Sequence, residues 1–495
     1  MSPYILFSFV IGYFILLLVV AYFTSRNSNN DSFFIGNRKS NWMLVAFGMI
    51  GTSLSGITFV SVPGAVGKES FGYFQIVIGY LIGYLGIAYV LLPLYYRLNL
   101  TSIYNYLYQR FGIRSYKTGA SFFILSRILG ATARLYLVVR ILQDSILSSF
   151  GIPFWATTVI ILVMILLYTF EGGVKTIVWT DTLQTTCMLV GLVVCVIYIL
   201  SQLHLNFSGG MNALADKGYT KIFVTDPDSK LFFIKQILAG AFITVTMTGL
   251  DQEMMQKNIS VKNLKDSQKN IITFSVILVL VNFLFLLLGG LLFLFAGQHG
   301  ITETGDKLFP AVAMQHLPKF ITIIFIIALI SALFPSADGA ITALTSSFCI
   351  DILGIQRNMV WSDAQKKKTR QWVHLTFAGI FLVFVMIFKW ANNQSMIGVI
   401  LKVAGYTYGP LLGLFSFGIL TKRLLNDKLV PVIAIASPLI CFFLDKYQHI
   451  LFGSFQIGLE LLIINGCITF LGLLMISSPN EVSQLSLTEH KKGER

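Results

Sequence analysis

Long apolar segments recur along the whole chain, and short polar segments separate them. Each apolar segment holds roughly 20 residues, which is the length that an α-helix needs to cross a ~30 Å hydrocarbon layer. The pattern predicts an all-α, polytopic membrane protein with thirteen spans. Their approximate limits are 4–24, 42–66, 73–97, 118–149, 152–170, 180–203, 231–252, 271–297, 319–350, 371–391, 396–420, 429–445 and 455–477.

Basic residues are concentrated in alternate connections between these spans, for example at Arg110 after the third span and Lys257 after the seventh. Connections rich in Lys and Arg stay in the cytoplasm, so the N-terminus is predicted outside and the C-terminus inside. Loops 204–230 and 298–318 are then external. The polar segment 479–495 is predicted to be a disordered cytoplasmic tail.

The composition agrees with a chain surrounded by lipid. Hydrophobic residues make up 55% of the 495 residues and charged residues only 12%, about half the share of a soluble protein. The formal net charge of +14 would suggest nucleic acid in a soluble protein, but here the basic residues lie in short connections between spans. The expected partner is therefore the lipid bilayer and not nucleic acid.

The second span is unusually rich in small and polar residues. Its sequence over 48–65 is GMIGTSLSGITFVSVPGA. Glycine and hydroxyl side chains allow a helix to unwind inside the membrane, and unwinding exposes carbonyl oxygens that suit Na⁺. Close packing of helices through small residues is the alternative explanation.

The fourth span carries two arginines, Arg127 and Arg134, which are seven residues apart and share a helix face. An arginine deep in a bilayer needs an anionic partner. That partner is either a carboxylate of the protein or an anionic substrate, and the sequence leaves both open.

Two spans contain carboxylates. Asp181 lies near the start of the sixth span, where it either faces the cytoplasm as a helix N-terminal carboxylate or binds a cation or proton. Asp338 follows Pro335 in the ninth span, and the proline is predicted to interrupt the hydrogen-bond pattern of that helix. Asp338 requires a partner, which is either a cation or an arginine of the protein.

The end of the seventh span is also polar. Its sequence from Thr248 is TGLDQEMMQKN. Asp251 and Gln252 are expected to line a cavity, whereas Glu253 is expected to face solvent.

Several of these segments resemble the sodium:solute symporter family, which includes bacterial proline, galactose and sialic acid symporters. The resemblance covers roughly residues 5 to 425. It rests on DSFFIGNRKSNWMLVAFGMIGTSLSG from Asp31, LTSIYNYLYQRFG from Leu100, EGGVKTIVWTDTLQ from Glu171, GLDQEMMQKN from Gly249, SADGAITALTSSFCIDIL from Ser336 and YTYGPLLGLFSFGILTKR from Tyr406.

The resemblance implies a leucine-transporter-like core of ten helices, built as two inverted repeats of five. These repeats would occupy residues 42–203 and 231–425. The first helix with its loop (1–41) and the last two helices (426–478) would be peripheral.

The resemblance also implies a sodium site. Its ligands would be the backbone carbonyls of Gly51, Leu54 and Ala332 and the hydroxyl of Ser336. This chain departs from the family at Pro335, where a hydroxyl residue is expected. Asp338 would compensate for that loss with a full charge or, together with Asp181, would serve a second sodium position.

For the solute, the resemblance implies hydroxyl contacts from Ser53, Ser55 and Thr58. A carboxylate of the solute would bind either Arg127 or Arg134. Gln75, Asp251 and Gln252 complete the expected site. Hydroxyl groups with one arginine suit a hydroxylated organic acid, and a neutral sugar fits if the arginine is paired internally.

The expected function is Na⁺-coupled symport of a small polar solute (a sugar, a sialic acid or another hydroxylated organic acid) into the cytoplasm. The protein is expected to act as a monomer in the inner membrane. Proton coupling through Asp181 or Asp338, and a solute sensor that transports poorly, are the alternatives. An enzyme is not expected, because the histidines in or beside the loops, such as His204 and His299, lack ligand-like spacing.

Overall fold

The computed structural model describes residues 3–25, 33–34, 38–170, 173–357, 360–391 and 396–479. Almost all of the described chain is helical, with one short antiparallel pair of strands, β1 (Leu424–Leu425) and β2 (Ser477–Ser478). The predicted tail lies outside the described residues, except Pro479. Asp31 and Glu171, which begin two of the family-like motifs, also lie outside them.

In the first half of the chain the described residues form a series of α-helices. They are α1 (Pro3–Thr24), α2 (Trp42–Ser53), α3 (Gly56–Glu69), α4 (Phe74–Gly86), α5 (Leu92–Arg97), α6 (Asn105–Arg110), α7 (Ile113–Ser145), α8 (Phe154–Thr169), α9 (Gly173–Gln202) and α10 (Phe207–Asp216).

In the second half of the chain the described residues form further α-helices. They are α11 (Phe233–Thr244), α12 (Gln252–Ile259), α13 (Leu264–His299), α14 (Leu308–Ala311), α15 (Lys319–Ser347), α16 (Asp363–Ala391), α17 (Met396–Thr407), α18 (Gly409–Leu420), α19 (Val430–Lys446), α20 (Gln448–Phe452) and α21 (Leu461–Met475).

All thirteen predicted spans coincide with helices. Seven continuous helices are long and apolar enough to cross a membrane, and three bent pairs raise that number to ten. The other three predicted spans correspond to α8, α19 and α21, which have 16, 17 and 15 residues. The prediction of an all-α membrane protein is therefore confirmed.

The predicted break in the second span is present. Helix α2 ends at Ser53, Leu54 leaves helical geometry (φ −91°, ψ 76°), and Ser55 is extended before α3 begins. The two halves of the span meet at 54°. The corresponding span of the second half, α11 with α12, bends by 65°, and α17 with α18 bends by 45°.

Helix α15 continues through Pro335 from Lys319 to Ser347, so the interruption there is confined to the hydrogen-bond pattern. A proline inside a helix removes one N–H donor, so the carbonyl of Ser331 loses its usual intrahelical partner. Helix α15 does not unwind at this point. The effect of Pro335 is limited to the missing hydrogen bond at the carbonyl of Ser331.

Helices α9 and α15 pack closely against the backbone of α2 in the broken span. A Cβ atom on Gly48 would approach the Cβ of Asp181 on α9 to 3.2 Å, and one on Gly51 would meet Pro335 on α15 at 3.5 Å. Small residues at such contacts are typical of helix packing in membranes. They place the break between α9 and α15, where the candidate site forms.

Candidate functional site

A wide funnel enters the helix bundle from the side that carries residues 303–307 and the start of α11. Its volume is about 1480 Å³, and it follows α3 and the start of α4 toward the middle of the protein. Polar residues along it include Ser61, Glu69 and Gln236.

A smaller cavity of about 100 Å³ lies at the break of the second span. Tyr73 and Leu401 line both the cavity and the funnel, so these two side chains form the boundary between them. The Tyr73 hydroxyl lies 3.3 Å from that of Tyr80, which fixes the orientation of both rings on α4. The small cavity is therefore separated from the funnel by only a thin layer of side chains.

Three hydroxyl residues that the sequence predicted for the solute, Ser53, Ser55 and Thr58, line this cavity. The break brings them there because it turns the end of α2 and the first turn of α3 toward the same space. Ser55 stands at the N-cap of α3, yet its side chain makes no capping hydrogen bond.

The two arginines of α7 both line the cavity but differ in their partners. Arg127 is buried, forms an ion pair with Glu253, and places Nη1 3.6 Å from Oδ2 of Asp251. Arg134 is only half-buried. Among the described residues, no carboxylate lies within 4.0 Å of the Arg134 guanidinium.

The start of α12 closes the cavity on the side away from the funnel. Asp251 caps α12 by accepting hydrogen bonds from the backbone N–H groups of Glu253 and Met254. The Tyr408 hydroxyl donates a 2.8 Å hydrogen bond to the same carboxylate. The expectation that Glu253 faces solvent was wrong: it is 2% exposed, because Arg127 provides the charge that a buried carboxylate needs.

Three of the predicted solute residues do not line the cavity, and they are Gln75, Asp251 and Gln252. The Gln75 amide donates to the carbonyls of Gly72 and Leu231 and accepts from the N–H of Val224, so it connects the segment before α11 to the start of α4. The Gln252 amide accepts from the N–H of Ile103 and donates to the carbonyl of Thr101. Neither side chain lines the cavity, since backbone groups satisfy both amides.

Asp181 lies inside the protein and does not face the cytoplasm. Its carboxylate is completely buried and accepts hydrogen bonds from Lys257 Nζ at 2.7 Å and Thr52 Oγ1 at 3.2 Å. Lys257 was assigned to a cytoplasmic connection by its position in the sequence, and that assignment was wrong. It occupies the last turn of α12 and is 3% exposed.

The residues predicted to bind sodium come together where α2 meets α15. Leu54 lines the cavity at the break, Gly51 faces Pro335 so closely that a Cβ atom on it would lie 3.5 Å from that ring, and Ala332, Ser336 and Asp338 are buried on the same stretch of α15. The Asp338 carboxylate accepts a 2.7 Å hydrogen bond from the Tyr168 hydroxyl. Among the described residues, no basic side chain lies within 4.0 Å of Asp338, so the possible arginine partner is absent.

Sequence reasoning missed several polar residues that line the cavity. They are Tyr73, Tyr80, Tyr84, Thr244, Thr248 and Asn282. The tyrosines recur at seven and four residues and the threonines at four, which is the spacing of one helix face and could have revealed them. Asn282 is a buried amide in an otherwise apolar part of α13, and its Oδ1 has no hydrogen-bond partner among the described residues.

The chain is similar to transporters of known type. Residues 33–428 match the model of the Sodium:solute symporter family. The sodium/sialic acid symporter SiaT of Proteus mirabilis is 26% identical over 434 residues, covering 82% of this chain and 83% of the relative. The sodium/sialic acid symporter NanT of Aliivibrio fischeri is 26% identical over 503 residues, covering 97% and 95%.

The fold is also similar to solved structures. A Na⁺-coupled sialic acid symporter in a substrate-bound, outward-open state superimposes with a TM-score of 0.82 at 22% identity, covering 95% of this chain and 97% of the other. The nucleobase-cation-symport-1 family transporter Mhp1 gives a TM-score of 0.57 at 13% identity. The core is thus that of transporters with two inverted repeats. With its family match spanning most of the sequence, this chain belongs to the sodium:solute symporter family and is a Na⁺-coupled symporter of a small solute.

Proposed function

We propose that this symporter carries a hydroxylated organic acid whose carboxylate binds Arg134. The observation that carries the proposal is the difference between the two arginines of α7. Arg127 already has two carboxylate partners, whereas the guanidinium of Arg134 borders the cavity with no carboxylate within 4.0 Å in the described part of the chain. A partly buried cation beside a cavity attracts an anionic ligand, and guanidinium matches a carboxylate in two parallel hydrogen bonds.

The remaining polar groups of the cavity suit a solute with hydroxyl substituents. Ser53, Ser55 and Thr58 offer hydroxyls, and the free Oδ1 of Asn282 accepts a hydrogen bond. The N-terminus of α3 adds partial positive charge at the break, which again favours an anion. Because the relatives named above are sialic acid symporters, a sialic acid is the first solute to test.

For Na⁺, we assign the backbone carbonyls of Gly51, Leu54 and Ala332 and the hydroxyl of Ser336, with Asp338 close by. The helix break frees carbonyls that a continuous helix would use internally. A buried cluster of ionisable side chains lies beside these ligands. It contains four carboxyl groups and two basic groups, which leaves an excess of two negative charges when all are ionised. These groups are Asp181, Asp251, Glu253 and Asp338 with Arg127 and Lys257. Such an excess attracts a cation.

The arrangement suits transport by alternating access. The funnel leads to the cavity from one side, while Asp251, Glu253 and Tyr408 close the other side. We assign the funnel to the outside of the cell, in agreement with the distribution of basic residues. Na⁺ entry then gains about 2.3 kcal/mol per 100 mV of inside-negative potential, which drives solute uptake.

We further propose that the protein works as a monomer in the inner membrane, with its N-terminus outside and its C-terminus in the cytoplasm. Its work is translocation without a chemical reaction, and it has no nucleic-acid partner. The basic residues that follow the first, third, ninth and eleventh spans support this orientation.

The test is uptake into proteoliposomes of a labelled sialic acid, a neutral hexose and a short hydroxylated monocarboxylate. Each is measured with an inward Na⁺ gradient and with a proton gradient alone. We expect Na⁺-dependent uptake of a carboxylate and loss of that uptake in Arg134→Gln. Uptake driven equally by protons alone, or a preference for the neutral hexose that Arg134→Gln leaves intact, would reject the proposal.

A further inference from the structure

Lys257 places an ammonium group at the carboxylate that the sequence suggested for a second sodium ion. Its Nζ lies 2.7 Å from Asp181 Oδ2, 2.6 Å from Thr52 Oγ1 and 3.6 Å from Glu253 Oε1. An ammonium has three N–H donors. Asp181 and Thr52 accept hydrogen bonds from this ammonium, and Glu253 Oε1 lies at ion-pair distance, without a hydrogen bond among the described residues.

The surroundings show that this position belongs to the ion machinery. Thr52 directly follows Gly51 and precedes the break in the second span by two residues. Asp181 on α9 lies against Gly48, which is on α2 together with Thr52. Asp338 on α15 lies within electrostatic range of both Asp181 and Lys257. The ammonium thus joins the broken helix, α9 and α12 at one point, next to the assigned sodium ligands.

A mobile cation at Asp181 would meet the positive charge of Lys257 at close range. Both would compete for one carboxylate, and the interior screens their repulsion poorly. Asp181 Oδ1 nevertheless has no hydrogen-bond partner among the described residues. The carboxylate therefore retains a free oxygen that would serve an ion once the charge of Lys257 is removed.

We infer that the ammonium of Lys257 is a tethered cation that takes the place of a second Na⁺, so that this symporter couples its solute to a single Na⁺ at Gly51, Leu54, Ala332 and Ser336. The inference rests on the Na⁺ coupling and sodium assignment given above. It adds that α12 itself supplies the charge that would otherwise be brought by a second ion. Lys257 is then a determinant of ion stoichiometry.

The test counts ²²Na⁺ bound at saturation by purified protein in nanodiscs, which requires no knowledge of the solute. We expect one Na⁺ per wild-type protein and two per Lys257→Met protein, because the variant keeps the stem of the side chain and leaves Asp181 with Thr52 free. Lys269→Met is the matched control: its side chain is 59% exposed beside Asp266, and the count should stay at one.

The double variant Asp181→Asn/Lys257→Met removes both charges together and should again bind one Na⁺. It also protects the test if Lys257→Met does not fold, because neither buried charge is left alone. Two Na⁺ in the wild type, one in folded Lys257→Met, or two in the double variant would each overturn the inference. No Na⁺ binding by the wild type would instead refute the sodium site on which the inference rests.

Discussion

The hydroxyl of Tyr408 donates a 2.8 Å hydrogen bond to Oδ2 of Asp251. Tyr408 stands at the bend between α17 and α18, and Asp251 stands at the bend between α11 and α12. One hydrogen bond therefore joins two broken spans on the closed side of the cavity. Because Arg127 also approaches Asp251, α7 is held at the same place.

Replacing Tyr408 by Phe should loosen this closed side. A hydrogen bond to a charged group contributes about 1.5–3 kcal/mol, so the population of the open form should rise by about ten-fold or more. Hydrogen–deuterium exchange of a peptide spanning α12 should become faster. The matched control is Tyr406→Phe, whose hydroxyl bonds Asp445 instead, and it should leave α12 unchanged. Equal exchange in wild type and Tyr408→Phe would contradict a closing role.

The two arginines of α7 should separate stability from binding. Arg127→Met leaves Asp251 without a basic partner and Glu253 with only Lys257 at 3.6 Å, and breaking such a buried pair costs about 3–5 kcal/mol. Arg134→Met breaks no ion pair among the described residues, so its melting temperature should stay close to that of the wild type. It should instead weaken binding of a carboxylate solute by about 10- to 100-fold, in line with a charged hydrogen bond.

Thermal unfolding and solute titration of the two variants check this contrast. An uncharged amide of the same solute provides the control, since its weaker binding should depend little on Arg134. Loss of stability in Arg134→Met, with unchanged carboxylate binding, would assign that arginine a structural role.

Gly339 should not tolerate a side chain. It lies inside α15 with the Glu253 carboxylate directly against its Cα, so a Cβ atom would collide with that carboxylate and disturb its pairing with Arg127. In an open helix position, Gly→Ala stabilises by about 0.5–1 kcal/mol. Gly339→Ala should therefore lower the melting temperature, whereas Gly379→Ala on the exposed face of α16, where no atom lies within 4 Å, should not. Equal melting temperatures of the two variants would show that Glu253 moves aside without cost.

Asp338→Asn should raise the Na⁺ concentration for half-maximal uptake. The loss of one charge at roughly 4–8 Å costs about 2–4 kcal/mol at an effective dielectric constant of ~20, which is at least about ten-fold in apparent affinity. Na⁺ titrations of uptake in proteoliposomes measure it. Asp266→Asn on the surface is the control, and an unchanged Na⁺ requirement in Asp338→Asn would remove Asp338 from the surroundings of the ion.

Hydrophobic patterning located every span because the bilayer imposes one length and one polarity on a crossing helix. Glycine and hydroxyl residues in the second span indicated a break within it, but close helix packing uses the same residues, so only the structure places the break after Ser53. At Pro335 the sequence indicated an interrupted hydrogen-bond pattern, and the structure shows that the helix stays continuous there. A proline removes one hydrogen bond from a helix, and whether the helix unwinds there depends on its packing against neighbouring helices.

The ion-pair partners of the buried charged residues could not be predicted from the hydrophobic pattern. Lys257 and Glu253 lie one turn apart at the end of a span, where a helix leaving the membrane and a helix buried in a bundle have the same composition. Only the 65° bend of α12 carries them inward to meet Asp181 and Arg127.

By itself the sequence determined that this chain crosses the membrane repeatedly and belongs among sodium:solute symporters, because these properties depend on local composition and motifs. The tertiary structure decided that Arg127 is the paired arginine and that Gln75 and Gln252 form hydrogen bonds with backbone groups. It also decided that the ammonium of Lys257 lies beside Asp181. Ion pairing in a bilayer is settled by distances of a few ångströms between helices far apart in the chain, and no local pattern encodes those distances.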